Sequence, residues 1–486
     1  MMIGKLSAER AHNFINGRRC VGRGCEFQTI YPATGAVTAT LNEASQHDVD
    51  EAVSSAESSQ KTWARASVEH RADVLLRTAA LLRENEEELA QIETLDTGRS
   101  ISETSEVDIA SAAEVFEFMA HAAVANFGRF RSLGSAIFYT QREPYGICAG
   151  IGAWNYPIQI ASWKSAAALA CGNAMIFKPS ELTPLSAVRL AELLCEAGLP
   201  DGVFNVIQGD GVVGANLVSR SEISKISVTG SVPTGRAILK LAAANLTPVT
   251  LELGGKSPIV VFDDADLDQA VTAVMLGNFY SQGQICSNGT RVFVQSAIYE
   301  SFVERLVSRT EQLRIGDPLD PNTEFGPMIS DKQSRIVLDY IESGVAEGAE
   351  LVLGGKLREL PGFERARFVE PTIFTNVSDT MKIAREEIFG PVMSVFEFET
   401  ENEAVRRAND TEFGLAAGVF TKDVARAHRM AGRLEAGVCW INDYNITPVS
   451  MPFGGTKSSG FGSENGVEGL LNYSKIKSVY IDTSGT

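Results

Sequence analysis

Apolar residues recur at helical spacing through residues 64–82 and 86–95, with Glu and Arg crowded on the opposite face, so residues 48–125 are expected to be helical. From residue 145 the pattern changes. Short apolar runs at 147–153, 174–177, 203–207 and 225–228 read as buried strands. Between them, 162–170 and 186–196 read as helices, the second closed by Gly198 and Pro200. The alternation restarts after Glu252, with strands at 259–262 and 291–294, helices at 267–279 and 299–313, and the same rhythm to about Trp440. Strands alternating with helices of this length predict parallel, doubly wound sheets. Two such runs predict two α/β units with the chemistry in the cleft between them. Residues 127–143 and 473–481 stand outside this scheme as stretches of alternating β-formers.

Composition narrows the function classes. A chain of 486 residues is too long for one core. Its net charge of −18 argues against nucleic acid or an anionic membrane as partner and favours approach of a cationic small molecule. The seven cysteines are scattered, with no C-x-x-C pair, which reads as reduced thiols in a cytoplasmic protein. The N-terminus lacks a signal-like apolar stretch, and no run approaches the ~18 apolar residues of a membrane span. None of the five histidines lies in a motif, G-x-S-x-G is absent and so is metal-ligand spacing. Those absences count against a Cys-His or Ser-His hydrolase.

The chemistry concentrates in two segments. Glu-Leu-Gly-Gly-Lys-Ser at 252–257 offers a carboxylate beside two glycines that admit close backbone approach. Gly-Gln-Ile-Cys-Ser-Asn-Gly at 283–289 offers a thiol in a short polar loop. A thiol nucleophile and a carboxylate base can form and then hydrolyse a thioester. For a nucleotide, Gly-Asp-Gly-Val-Val-Gly at 209–214 fits G-x-G-x-x-G literally, yet the acidic residue expected at the end of the next strand is replaced by Val-Thr-Gly at 228–230. It is therefore read as a glycine turn. Thr-Gly-Ser-Val-Pro-Thr-Gly at 229–235 is the better phosphate site, a strand-to-helix turn with Ser231 as cap and free amides at a helix N-terminus. Lys-Pro-Ser-Glu at 178–181 falls at the end of a strand, where Glu181 can accept both ribose hydroxyls and would repel a 2′-phosphate.

Taken with Trp-Asn-Tyr-Pro at 154–157 and Glu-Glu-Ile-Phe-Gly-Pro at 386–391, these motifs resemble the aldehyde dehydrogenase superfamily, over about residues 12–480. The resemblance implies the α/β fold of that family. Its parts would be a Rossmann-like NAD-binding domain (1–125 and 145–254), an α/β catalytic domain (255–450), and a small β oligomerisation arm (126–144 and 470–486) making a homodimer or homotetramer. It implies Cys286 as nucleophile, Glu252 as base, and the Asn155 side chain with the Cys286 N–H as oxyanion donors. Lys164 and Glu464 match a buried ion pair that passes protons to Glu252 in relatives, or serves structure alone. Relatives usually carry Arg where Ser463 stands here and often Tyr where Thr456 stands. NAD would lie on Gly152, Ala153, Trp154, Lys178, Pro179, Ser180, Glu181, Ser231, Val232, Pro233, Thr234 and Gly254, with Glu387 on the nicotinamide ribose and Phe389 beside the nicotinamide. Asp96, in Leu-Asp-Thr-Gly at 95–98, matches a place near which relatives bind a monovalent cation such as potassium.

Tyr156, Trp163, Tyr280 and Phe453 fall where members acting on trimethylammonium aldehydes have an aromatic cage, and cation–π contacts of ~0.5–2 kcal/mol per ring suit such a cation. The bland reading is an apolar tunnel wall of a broad-range enzyme. The resemblance favours betaine aldehyde as substrate and NAD and water as co-reactants, with 4-trimethylaminobutyraldehyde as alternative. A CoA-acylating reductase would leave Glu252 idle, and a binding protein on an inactive scaffold has no use for an intact Cys286, Glu252 and Asn155.

Overall fold

The computed structural model describes residues 12–126 and 128–484. The parts of the expected first domain and arm that fall on residues 1–11, 127 and 485–486 lie outside the described residues.

The expected N-terminal helical region is a series of helices with identifiable stops. Ser45 and Asp48 form a reciprocal capping box at the start of Gln46–Arg65, and Ser67 caps Val68–Glu84. Glu86–Thr97 ends at Gly98, whose φ of 75° is the left-handed conformation that glycine adopts without a Cβ clash. A wide π turn, Thr104–Ile109, then leads into Ala110–Ala125. The apolar pattern gives no sign of that π turn.

Two sheets follow. In the first, Phe204–Val206, Ala174–Lys178, Ile147–Ile151, Ile223–Thr229 and Val249–Glu252 lie side by side and parallel, as the strand–helix alternation predicts. Asn13–Ile15 and Arg18–Cys20 extend one edge antiparallel. The second sheet runs Glu350–Leu353, Thr372–Thr375, Val392–Phe398, Arg291–Gln295, Pro258–Val261, Ala416–Phe420 and Val438–Ile441, parallel except at its first pair. The inner strands Ile147–Ile151, Ala174–Lys178, Pro258–Val261 and Ala416–Phe420 are buried through their length, as a parallel sheet covered on two faces requires. A third sheet of Ser474–Asp482, Ala136–Pro144 and Phe130–Ser132 pairs the two segments that stood outside the α/β scheme.

Several boundaries differ from expectation. The helix expected at 162–170 begins at Pro157, where proline occupies a first-turn position whose N–H needs no partner. The helix expected at 299–313 ends at Thr310. The 209–214 segment is more than a turn, since Asp210 caps a helix at Gly211–Val218. Gly460–Phe461 returns from the second unit to pair antiparallel with Val249–Glu252, setting Gly460 against Glu252. Two residues carry no readable periodicity, so this strand was invisible in the sequence.

Register matters most for function. Ile151 pairs with Lys178, Val228 with Ile151, and Thr229 with Glu252. The segments 152–155, 178–181, 229–231 and 252–254 therefore leave the first sheet at one carboxyl edge, the place where open α/β sheets bind ligands. Among the described residues no helix is long and apolar enough to cross a membrane.

The buried Trp63 indole donates to Leu169 O at 3.0 Å, pinning helix Gln46–Arg65 to the end of helix Pro157–Ala170. Trp63→Ala should lower stability by ~3–5 kcal/mol, read as a reduced unfolding midpoint by circular dichroism.

Candidate active site

Two cavities meet at four residues. One is lined by Tyr156, Trp163, Tyr280 and Phe453 together with Ile160, Ile285 and Ile446. The other runs along the carboxyl edge of the first sheet. Asn155, Thr229, Glu252 and Cys286 line both. The sequence-predicted nucleophile, base and oxyanion donor are thus brought to the junction of an aromatic pocket and a nucleotide-sized groove.

Glu252 is 5 % exposed, and neither carboxylate oxygen has a hydrogen-bond partner. Burial pushes its pKa well above the usual carboxylate range; Glu464 adds to the rise and Lys164 opposes it. A carboxyl group in this state can hold a proton near neutrality and still act as a base, which is how general bases are poised. Lys164 and Glu464 do form a buried ion pair, Nζ to Oε1 at 2.8 Å, and Ser227 Oγ bonds the same carboxylate oxygen at 2.6 Å. Both ions line the aromatic pocket beside Glu252.

The Cys286 thiol is half-buried, and its pKa is pushed up to about 12, mainly by burial, then by Glu252 and Glu387. The resting sulfur is therefore a thiol, and a base must take its proton. Asn155 donates one amide hydrogen of Nδ2 to Gln284 O at 3.0 Å, which fixes the side chain and leaves the second hydrogen free. That geometry suits a donor to a developing oxyanion.

The groove collects most of the residues expected to hold a dinucleotide: Gly152, Ala153, Trp154, Lys178, Ser180, Glu181, Ser231, Thr234, Gly254, Glu387 and Phe389. Pro179, Val232 and Pro233 do not line it and act through the backbone they fix. Ser231 caps helix Val232–Asn245, its Oγ accepting from Thr234 N at 3.3 Å, and the helix N-terminus opens on the groove. Lys178, expected to hold the dinucleotide, lines the groove. Its buried ammonium donates to Pro179 O and Gly209 O, both at 2.6 Å, and so ties two loops of the groove together. Glu387 accepts from Gly255 N at 3.0 Å and is pushed up to about 7 by burial. A Cβ on Gly254 would collide with the Glu387 carboxylate, which explains the glycine. Phe389 holds a left-handed φ of 56° and packs edge-on against Trp154, ring centroids 5.1 Å apart. Gly211, from the 209–214 motif read as a glycine turn, also lines the groove, as does Gln333, which the sequence did not mark. Gln333 donates to Phe389 O at 3.0 Å from a distant helix, so no local motif marks it.

In the aromatic pocket Trp163 and Phe453 meet edge-to-face at 5.8 Å, and the Tyr156 hydroxyl bonds Ser281 Oγ at 2.8 Å. Asp96 lies apart from both cavities. Its Oδ2 accepts from Leu185 N at 3.0 Å, whereas Oδ1 is buried without a partner, and burial pushes the group up to about 8.

Residues 22–479 match the family model for the aldehyde dehydrogenase family. The chain belongs to that family. It is 56 % identical over 474 residues to the betaine aldehyde dehydrogenases of Mesorhizobium japonicum and Brucella anthropi, covering 97 % of each chain. An NAD+ complex of a Bacillus cereus aldehyde dehydrogenase superposes with a TM-score of 0.96 at 40 % identity, covering 99 % of this chain and 98 % of that one. A Staphylococcus aureus betaine aldehyde dehydrogenase point mutant in complex with NAD+ superposes with a TM-score of 0.94 at 37 % identity, covering 98 % of both chains. Membership of the aldehyde dehydrogenase family fits the junction of thiol, carboxylate and amide between two cavities.

A thiol with a pKa pushed up to about 12 supplies its reactive thiolate in proportion to hydroxide across the neutral range. Alkylation of Cys286 by iodoacetamide in the cofactor-free protein should thus rise about tenfold per pH unit between pH 6 and 9, measured by mass spectrometry of the labelled peptide. A plateau near neutrality would contradict the burial described here.

Proposed function

We propose that this aldehyde dehydrogenase oxidises betaine aldehyde to glycine betaine with NAD and water. The observation that carries the substrate is the pocket of Tyr156, Trp163, Tyr280 and Phe453 opening directly on Cys286. Aromatic faces stabilise a quaternary ammonium, which cannot donate ordinary hydrogen bonds. The identity to betaine aldehyde dehydrogenases over nearly the whole chain supports the same reading.

The groove fits NAD by its shape and donors: a helix N-terminus for phosphate at Ser231, the Glu181 carboxylate for a ribose diol, and a Glu387 carboxylate let in by Gly254. When bound, NAD accepts the hydride of the oxidation. The chain's own residues do the rest. Cys286, its proton passed to Glu252, attacks the aldehyde carbon, and Asn155 Nδ2 with the Cys286 N–H stabilises the thiohemiacetal oxygen. After hydride departure the acyl group is a thioester on Cys286. Glu252 releases the thiol's proton and then takes one from water, which hydrolyses the thioester to the free acid, and a proton returned from Glu252 to the departing thiolate restores the thiol. Lys164, Ser227 and Glu464, hydrogen-bonded to one another beside Glu252, would take up the released proton once a water links Glu252 to them. A CoA-acylating reaction is disfavoured by the same Glu252, which would have no water to activate.

We assign the first sheet with its helices to NAD binding, the second to the catalytic unit, and the three-stranded sheet to an arm joining copies of the chain. Exposed Phe130, Ile476 and Tyr480 on that sheet support the arm. The orphaned Asp96 Oδ1 fits a monovalent cation such as potassium, which would neutralise a buried carboxylate.

Two measurements test the reading. Betaine aldehyde should exceed its uncharged isostere 3,3-dimethylbutanal in kcat/KM by about tenfold or more, ~1.4 kcal/mol, in NADH production. Equal values would make the aromatics a tunnel wall of a broad-range enzyme, and a win for 4-trimethylaminobutyraldehyde would move the assignment to the longer cation. Glu252→Gln should slow the first release of NADH as well as steady turnover, the latter by ~10²–10⁴, because Glu252 serves both thiol activation and hydrolysis. If Glu252→Gln turns over steadily near the wild-type rate, another group is the base. In the wild type the steady rate should rise with pH well above the usual carboxylate range, because the raised pKa leaves Glu252 without its basic form at lower pH.

A further inference from the structure

Behind the Tyr156 ring lies a buried guanidinium that none of the chemistry above uses. Arg99 is 1 % exposed and its Cζ sits 4.0 Å from the centroid of that ring. Tyr156 lines the aromatic pocket and Arg99 does not, so the guanidinium backs the wall rather than meeting a ligand. Asp108 holds it by two hydrogen bonds, Nη1 to Oδ2 at 2.6 Å and Nη2 to Oδ1 at 3.1 Å. Glu103 lies 3.4 Å from Nε. Both carboxylates come from the π turn and the short helix before it. A buried guanidinium with two carboxylates is costly to assemble and is weak evidence for stability as its purpose.

Its remaining contacts point to positioning. Nη1 donates to the backbone O of Asn155 at 3.3 Å, and Nε donates to Ser281 Oγ at 2.9 Å. Ser281 and Gln282 hold φ values of 49° and 55°, the left-handed region disfavoured for side-chain-bearing residues, and Gly283 follows at 70°. Something must hold that strained turn. Ser281 is gripped at every polar atom facing the cluster: its N–H donates to Glu103 Oε1 at 3.2 Å and its hydroxyl to Glu103 Oε2 at 3.1 Å. The same oxygen accepts from Arg99 and from the Tyr156 hydroxyl. The turn then passes its position on, because Ser281 O accepts from Gln284 N at 3.0 Å and Gln284 O accepts from the Asn155 amide. Cys286 stands two residues further.

We propose that Arg99 is a positioning residue, a clamp that fixes the Tyr156 wall, the Asn155 oxyanion donor and the left-handed turn carrying Cys286 as one unit. The proposal rests on the catalytic roles given above to Asn155 and Cys286, not on the identity of the aldehyde. Backbone strain held by its surroundings at a reacting centre is the expected signature of such a device. An error of about 1 Å in placing reacting groups is enough to lower a rate ~10²-fold.

The test uses the full chain with NAD and whichever aldehyde the wild type oxidises fastest, with active sites counted by end-point labelling of Cys286. Arg99→Met should lower kcat per labelled thiol by ~10–100-fold while KM for NAD stays within about twofold, and Arg99→Lys should recover only part of the loss. Ser281→Ala keeps the Arg99–Asp108 pair, so it folds where Arg99→Met fails, and should lower kcat per thiol by ~3–10-fold. If Ser281→Ala and whichever Arg99 variants fold turn over at the wild-type rate per labelled thiol, the clamp is overturned. A loss that tracks only the number of labelled thiols marks a structural role and overturns it equally. If betaine aldehyde proves a poor substrate for the wild type, the substrate assignment falls and the clamp test reads unchanged on the better aldehyde.

Discussion

Glu252 is buried with no hydrogen-bond partner, at the end of the strand that also receives Gly460–Phe461 from the chain's return. Leaving a carboxylate bare in this way costs several kcal/mol of desolvation unless it takes up a proton. The rest of the site is arranged around that cost. Burial raises the pKa of Glu252 most, Glu464 raises it further, and Lys164 only partly opposes them, so the group stays well above the usual carboxylate range. The same dry surroundings keep Cys286 protonated, and the base and nucleophile therefore have to act as a pair. A wetter site would ionise Glu252 fully and weaken it as a base.

The fold supplies this dryness by closing two sheets on the junction. Parallel strands present their carboxyl ends together, so one edge of the first sheet delivers four loops to the same groove. Each loop then needs its own restraint, because backbone leaving a sheet has lost its ladder partners. Lys178 ties the 178–181 loop to Gly209 through carbonyls, Ser231 caps the helix that follows 229–231, and Ser459 Oγ donates to Gly254 O at 2.7 Å in 252–254. The groove's shape, more than its charge, carries the preference for a dinucleotide.

How far the sequence could be read follows from this division. Cys286, Glu252 and Asn155 were legible because each sits in a short motif whose residue types the chemistry requires. The strands were legible because burial on both faces writes long apolar runs into them. Gln333 and the Gly460–Phe461 strand were not, since each reaches the site from a segment whose own pattern is ordinary, and Gly211 was set aside with the 209–214 motif for want of the acidic residue expected after it. The carbonyl contacts of Lys178 were not legible, because side-chain partners at a loop depend on groups far along the chain, here Gly209. The π turn at Thr104–Ile109 left no signal at all, as one extra residue per turn hardly alters apolar spacing.

That turn also explains why an expensive ion cluster persists so close to an apolar pocket. A regular helix through Thr104–Ile109 would rotate Asp108 relative to Glu103 by a further residue, and both carboxylates reach Arg99 in the π geometry. With Asp108 and Glu103 beside it, the guanidinium does not confront the pocket as a bare cation through the Tyr156 ring. A bare positive charge 4.0 Å behind an aromatic face would oppose any ammonium drawn to the other face. The carboxylates therefore do two things at once: they keep Arg99 charged in a dry interior, and they leave the front of the ring electron-rich. Positioning the nucleophile turn and tolerating a cationic substrate are in this sense one electrostatic problem, met by a single buried cluster.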